Sequence, residues 1–255
     1  MFKDSNHRVF KGSYEAFLQQ DDQDLVRVPV NILRNILGFS FEIGARHPFT
    51  QGMLDYAADK TISPDHTAMA QFYRKFRPRT LLEAFFDAPD HPLLKELNTN
   101  DLTPLIKTSS KYLLTPWAWE LIEMGGFGQS MAKQEGSHFL GPVTQRHLHS
   151  EFKRLTGIYD TVAAEGFDVD KQTDTIRGYF MKKGPHTRFV VVGGNHRVGV
   201  LCALGYTHIP VAIHKHRLPW VDIDALDTWP QVKNAVFTRP MATAVFERFF
   251  TGVRT

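Results

Sequence analysis

An α+β fold is what this sequence predicts, with a mainly helical region over residues 1–135 and a mixed β-sheet with flanking helices over residues 136–255. Three observations carry that division. Helix-capping signals dominate the first part. Near residue 175 the apolar period drops from about 3.6 to about 2 residues. A continuous apolar run, Phe189-Val190-Val191-Val192, then meets Gly193-Gly194 and a new helical stretch, and runs of that kind are buried strands. Hydrophobic residues at 42% and charged residues at 22% exclude disordered and fibrous classes. The 20 Phe and 4 Trp are enough core material to fold without a disulfide staple.

Taken in chain order, Ser63-Pro64-Asp65 reads as a helix start: Ser at the N-cap, Pro at the first helical position, an acid in the positive first turn. Met69, Phe72, Tyr73 and Phe76 follow as an apolar stripe at helical spacing, read as core. Thr80-Leu81-Leu82-Glu83 is a capping box before Phe85-Phe86. Thr115-Pro116 repeats the cap before Trp117, Trp119, Leu121 and Ile122, with Gly125-Gly126 as the stop. The polar stretch from Gly125 to Gly141 reads as a linker or mobile loop. A long helix is predicted from Thr144 to Glu165, carrying Phe152, Leu155, Ile158, Tyr159 and Val162 on one face and ending at Gly166.

Strands are predicted over Thr175–Met181 and Arg188–Gly193, joined by a Lys182-Lys183-Gly184-Pro185 turn. A short helix from Asn195 to Leu204 turns Val198, Leu201 and Cys202 inward and stops at Gly205. Ile209–Ile213 is a further strand. Helices around Trp229–Val236 and Met241–Phe250 close the chain.

Charge and cysteine content narrow the setting. A net charge of +3 is too small to argue for nucleic acid by itself and suits an anionic small substrate or a glycan equally well. Cys202 is the sole cysteine, so no internal disulfide forms and a reducing compartment is expected. MFKDSNHRVFKGSYEAF has no apolar signal region, and no run approaches about 18 apolar residues. The expectation is a cytoplasmic protein without a transmembrane segment, membrane-associated only through partners.

Chemistry concentrates at Gly193-Gly194-Asn195-His196-Arg197. Two glycines permit a tight turn and let main-chain N–H groups approach a ligand. The helix start offers N–H donors and a partial positive charge suited to phosphate. Cations are disfavoured at that end of a helix, so His196 and Arg197 there make sense beside a bound anion, Arg197 as a planar fork and His196 as a further donor. A second reading also fits, in which the turn is a connector and Arg197 pairs with a nearby carboxylate.

VVVGGNHRVGVLCALGYTHIPVAI resembles the core of the ParB/sulfiredoxin superfamily, in which Gly-x-His-Arg follows a strand, a helix ends in Leu-Gly, and an Ile-Pro-Val strand comes next. YDTVAAEGF resembles the helix end that precedes that core. The likeness covers about residues 141–216 and implies a ParB/sulfiredoxin-like sheet. It also implies a nucleotide-phosphate site at Gly193, Gly194, Asn195, His196 and Arg197, with ATP, ADP or CTP as the nucleotide and Mg²⁺ as its usual companion. Members include sulfiredoxins, partition proteins and free-serine kinases. Asn195 stands where sulfiredoxins carry their reactive Cys, which argues against sulfinic-acid reduction. Residues 217–255 are too short for a helix-turn-helix plus a dimer module, which argues against chromosome partition.

Further pieces resemble ParB-like proteins encoded among bacterial surface-polysaccharide genes. They are His47-Pro48-Phe49, Phe72-Tyr73 with Arg77-Pro78, Gly141-Pro142 with Glu151-x-x-Arg154-Leu155, Ile176-x-Gly178-Tyr179 and Trp229-Pro230-Gln231-Val232.

A phosphotransferase needs a carboxylate. Glu151 is the leading candidate, with Arg154 on the same helix face and reaching a phosphate; a solvated intrahelical ion pair is the competing reading. Glu135 is a weaker candidate, and Asp160 and Glu165 read as surface acids. Among the 12 His, His214 and His216 share a strand face, but no nearby acid or thiol completes a metal site, whereas His147 and His149 diverge on a helix. Lys182-Lys183 reads as a solvated hairpin tip, with guidance of an acidic substrate as the alternative.

The expected activity is Mg²⁺-dependent phosphoryl transfer from a nucleotide to a hydroxyl of a sugar or glycan precursor, with Glu151 and His196 catalytic. A nucleotide-switched regulatory or scaffold module, with a change of homo-oligomeric state, is the alternative. A ParB-type DNA binder comes third, against the modest charge.

Overall fold

A computed structural model describes residues 8–9, 25–78, 81–86, 112–113, 115–118, 122–123, 137–169, 175–213 and 220–251. Its centre is a mixed sheet. Strand β6 (Arg177–Lys183) and strand β7 (His186–Gly193) form the hairpin anticipated from sequence, with Phe180 opposite Phe189 and Gly184 at φ +54° in the turn. Along the other edge of β6, strand β8 (His208–Ile213) runs parallel to its start and strand β9 (Trp220–Asp222) parallel to its end.

Strands from the first part of the chain complete the same sheet. Strand β3 (Leu33–Asn35) runs parallel to β7, strand β2 (Val26–Pro29) antiparallel to β8, and strand β1 (Arg8–Val9) parallel to β2. A mainly helical 1–135 therefore needs correcting at its start. Val26 and Val28 alternate with more exposed neighbours, a period-two signal that capping rules do not detect.

Both faces of the hairpin are covered, because alternate residues enter different cores. Tyr179, Met181 and Val190 join a cluster with the helices, including Phe49, Phe72, Leu155, Trp117 and Phe246. Phe180, Phe189 and Val191 join a second cluster with Val198, Leu201, Cys202 and Val211. Burial on both faces explains why Phe189–Val192 reads as one apolar run.

Helix α1 (Pro48–Ala58) starts on Pro48, with His47 extended at its N-cap. Ser63 caps only a single 3-10 turn, Pro64–His66, and helix α2 (Ala68–Lys75) begins afresh, with Thr67 Oγ1 accepting from the Ala70 N–H at 3.2 Å. Helix α3 spans Leu81–Phe86. Helix α4 (Gln145–Glu165) is capped by Thr144, which accepts from the His147 N–H, and stops at Gly166 with φ +78°. Helix α5 (Asn195–Ala203) links β7 to β8. The closing helices are α6 (Pro230–Lys233) and α7 (Arg239–Thr251).

Two expectations fail for non-local reasons. Thr115–Ala118 is a turn, and Ile122–Glu123 (strand β5) pairs with Tyr112–Leu113 (strand β4) where a helix was anticipated. Trp117 fits between Trp229, Phe246 and Phe249 and donates its indole N–H to Tyr179 Oη at 3.1 Å. Gln231 supplies main-chain and side-chain donors to the Pro116 and Ala118 carbonyls, so these groups find partners outside a helix. The segment Ser137–Gly141 is no linker either. His138, Phe139 and Leu140 are buried, and the Gly141 N–H donates to the Phe76 carbonyl at 2.8 Å. The rest of that stretch, from Gly125 to Gly136, lies outside the described residues.

Candidate functional site

Strand β7 ends at Gly193, and Gly194 takes φ +87°, ψ +19° as the N-cap of α5. That left-handed geometry is cheap only for glycine, and it leaves the first turn of α5 with no side-chain cap. A Cβ on Gly193 would stand 3.0 Å from Cγ and Nε of Arg177, and one on Gly194 would stand 2.9 Å from Ile176 Cγ1 and 3.3 Å from Arg197 Nη2. The glycines thus admit Ile176 and two guanidinium groups against the turn. Arg177 and Arg197 both lie against it.

Inside the first turn, Asn195 and His196 are buried and Arg197 is half-buried. His196 Nε2 hydrogen-bonds to Glu151 Oε2 on α4, and both side chains are almost covered. Burial pushes the Glu151 carboxyl upward, but the His196 bond and the neighbouring imidazoles of His138 and His147 outweigh it, holding Glu151 well below the usual carboxylate range. The reading of Glu151 as a solvated acid is overturned. Arg154 lies one turn further along, exposed, within electrostatic reach of His138.

Two more imidazoles line this centre. Phe49 in the first turn of α1 stacks on His196 with ring centroids 4.5 Å apart, and Gly199 lets α1 approach, since a Cβ there would stand 2.6 Å from Phe49 Cβ. His138 lies 5.7 Å from His196, its carbonyl accepting from Tyr73 Oη at 2.9 Å. His47 stacks on Phe41 at 3.9 Å. Burial first, then the neighbouring His196, lowers His138 to about 3 and takes His47 well below the usual range, so both rings are neutral at physiological pH. Burial, reinforced by the Glu151 charge, raises the Tyr73 hydroxyl far above its ordinary value.

Asn195 Oδ1 and His47 Nδ1 are buried without a hydrogen-bond partner. Such atoms cost about 1–3 kcal/mol each unless something satisfies them. A site that receives a ligand or water has that character.

The remaining sequence candidates lie elsewhere. Lys182 pairs with Asp222 at 3.2 Å and Lys183 with Glu247 at 2.7 Å, so the hairpin tip is tied to its own neighbours. His149 meets Asp65 at 2.9 Å on the surface, diverging from His147. Asp160 is exposed beside Lys60 and Tyr56. Cys202 is buried, its thiol pushed up to about 12 by desolvation, so it is inert. Glu135, His214 and His216 lie outside the described residues. Among the described residues, no three His, Cys, Asp or Glu side chains are grouped to hold a metal ion, and no helix is long and apolar enough to cross a membrane.

Sequence reasoning singled out Glu151 and His196 separately, and the fold joins them across 45 residues. His47 and Phe49 entered only through resemblance, without a role, Tyr73 was read as core, and His138 was absorbed into a supposed linker. The one local signal was His47-Pro48, an N-cap in front of an N1 proline. Comparisons with protein-family models, with curated proteins and with solved structures find no match.

Proposed function

We propose that the start of α5 binds the phosphates of a nucleotide and that the protein transfers a phosphoryl group to a hydroxyl, in a sugar or glycan precursor. The observation that carries this reading is the His196–Glu151 pair in the first turn of a helix whose N-terminus has no side-chain cap. Phosphate oxygens accept readily from such N–H groups. Arg197 and Arg177 lie against the glycine turn, and a guanidinium is a planar donor group suited to phosphate oxygens. Phosphoryl transfer demands mainly positioning and charge stabilisation, and the pair provides a fixed polar centre at the helix start. The order of strand, glycine turn, helix and Ile-Pro-Val strand, realised as β7–α5–β8, fits the resemblance to the ParB/sulfiredoxin superfamily.

Mg²⁺ fits these residues poorly. Glu151, the carboxylate at the turn, is engaged by His196, and no further acids gather around it among the described residues. No step is therefore assigned to a metal ligated by protein side chains. Arg154, exposed on α4, belongs to the rim of this centre.

Titration calorimetry with ATP, ADP and CTP tests the reading, with and without MgCl₂. Micromolar binding of one of them, weakened at least about tenfold by Arg197→Ala, is expected from the loss of about 1.5–3 kcal/mol in a charge-assisted contact. No binding of any of the three by the folded wild-type chain overturns it.

A further inference from the structure

We infer that the exposed face of the first half of α4 is a docking surface for an anionic oligosaccharide, the part of the acceptor that lies outside the site. The inference rests on the glycan reading of the acceptor and adds to it that this glycan is acidic.

The charges of α4 run against its own dipole. A helix is positive at its start and negative at its end, so stability favours acids in the first turn and bases in the last. In α4 the first turn holds no acid and the last turn no base. Arg146, His147, His149, Lys153 and Arg154 lie in its first half, whereas Asp160 and Glu165 lie in its second. Helices α2 and α7 follow the ordinary rule, with Arg74, Lys75 and Arg248 in their last turns. A layout that costs stability at both ends of one helix is accounted for by an anion outside it.

The cations are also arranged in space. At about 100° per residue, Arg146, Ser150, Lys153 and Gly157 fall along one line of α4, with His149 on one side and Arg154 on the other. All six are exposed. The line runs about 16 Å along the helix axis. The acids beside it are engaged elsewhere: Asp65 accepts from Gln145 and His149 at one edge, and Glu151 turns inward to His196. Asp160, beyond Gly157, meets Lys60 and Tyr56. On the other edge Arg154 lies within electrostatic reach of His138, so the face runs up to the rim of the His196 centre.

A hydrophilic chain suits this face better than a bilayer or a nucleic acid. A Cβ on Gly157 would meet nothing within 4 Å, which leaves open space beside Lys153, and Ser150 adds a hydroxyl between the cations. No apolar side chain on the line could enter a membrane; the large hydrophobic side chain exposed among the described residues is Ile43, ahead of α1. No aromatic ring on the line offers a base a stacking partner. The permanent cations Arg146, Lys153 and Arg154 neutralise few phosphates of a duplex, and the net charge of +3 adds little steering. Each exposed charge contact is weak, so an occupant with several acids in a row gains most from the face.

Titration calorimetry of the full chain with hexagalacturonate, a carboxylated oligosaccharide, and with maltohexaose, its uncharged counterpart in length, tests this. Hexagalacturonate should bind and weaken as NaCl is added, and maltohexaose should not bind. Arg146→Glu combined with Lys153→Glu should weaken hexagalacturonate at least about tenfold while nucleotide affinity stays within about threefold. The same variant should keep a thermal midpoint no lower than that of the wild-type chain, because acids suit the start of a helix. A lowered midpoint assigns these cations to the fold and overturns the inference, as does equal binding of maltohexaose or no binding of hexagalacturonate. Tighter binding of duplex DNA or of phosphatidylglycerol vesicles overturns it in favour of those partners. Hexagalacturonate binding without nucleotide binding keeps this surface and removes the phosphate site, and the converse removes the surface alone.

Discussion

Around the end of α7, Arg34 donates Nε to the Phe249 carbonyl at 3.0 Å, Arg188 donates to the Phe250 carbonyl at 3.1 Å, and Arg248 donates to the Leu37 carbonyl at 2.6 Å. Around the start of α5, by contrast, His196 meets Glu151, and neutral His47 and His138 stand close by. Both are buried polar clusters beside a helix end. At α7 the Arg34 and Arg188 guanidinium groups meet main-chain carbonyls at the negative end of the helix, an internal match of charge to dipole. Unpartnered buried polar atoms occur in both, Arg188 Nε beside α7 and Asn195 Oδ1 in α5, so the difference lies at the helix ends, where the start of α5 lacks a side-chain cap. A cluster whose donors end on its own backbone holds a fold together, whereas one that leaves its helix start uncapped is open to an anion.

Arg34→Met puts that contrast under its heaviest load. It removes the donors serving the Phe249, Leu33 and Asn31 carbonyls, and loss of a buried charged partner costs about 3–5 kcal/mol. Urea denaturation should show a drop of that order, while nucleotide affinity of the folded fraction is unchanged. A lost affinity with preserved stability would reverse the roles of the two clusters.

The α5 cluster was legible in pieces. Gly194 announced its turn because a left-handed residue must be small, and Thr144 and Gly166 announced both ends of α4 because caps are local. What joins Glu151 to His196 is the packing of α4 against α5, and no local rule encodes it. Trp117 shows the same limit from the other side. Its Thr115-Pro116 start satisfies the helix rules, yet the slot between Trp229, Phe246 and Phe249 and the donors of Gln231 override them. Strands β2 and β3 escaped for a related reason, since β8 and β7, which carry them into the central sheet, lie some 150 residues or more away in sequence.

Acid gives a second, smaller separation of the clusters. His47 and His138 are depressed in the folded chain, so the unfolded chain binds more protons below about pH 6.5, and the stability they contribute fades as pH falls from there toward their folded values, about 3 for His138. Glu151 adds the same sign lower down, because its contribution is present above the ordinary carboxylate range and is lost as pH falls through its depressed value. Each imidazole is worth at most about 1.4 kcal/mol per pH unit within its window. Denaturation midpoints between pH 8 and pH 4.5 should fall on the acid side, and His47→Phe should remove one proton's share of the slope. Arginines remain charged throughout this range, so Arg34→Met should leave the slope intact. A slope indifferent to His47→Phe would show that the buried rings do not govern acid stability.

The smallest expected effect lies outside both clusters and calibrates them. Tyr56 donates to Asp160 at 2.8 Å, Lys60 approaches the same carboxylate at 3.1 Å, and the Lys60 ammonium lies 4.0 Å from the Tyr56 ring centroid and 4.2 Å from that of Tyr159. The geometry is as good as anything at α5. Both charged side chains are about half exposed, however, at 51% and 54%, and water there replaces nearly everything the pair provides. Asp160→Asn should therefore shift stability by less than about 0.5 kcal/mol, and added salt should shrink even that. A loss above about 1 kcal/mol would mean that short distances alone set the worth of a polar contact in this protein. In that event burial would not be what gives the His196–Glu151 pair its worth.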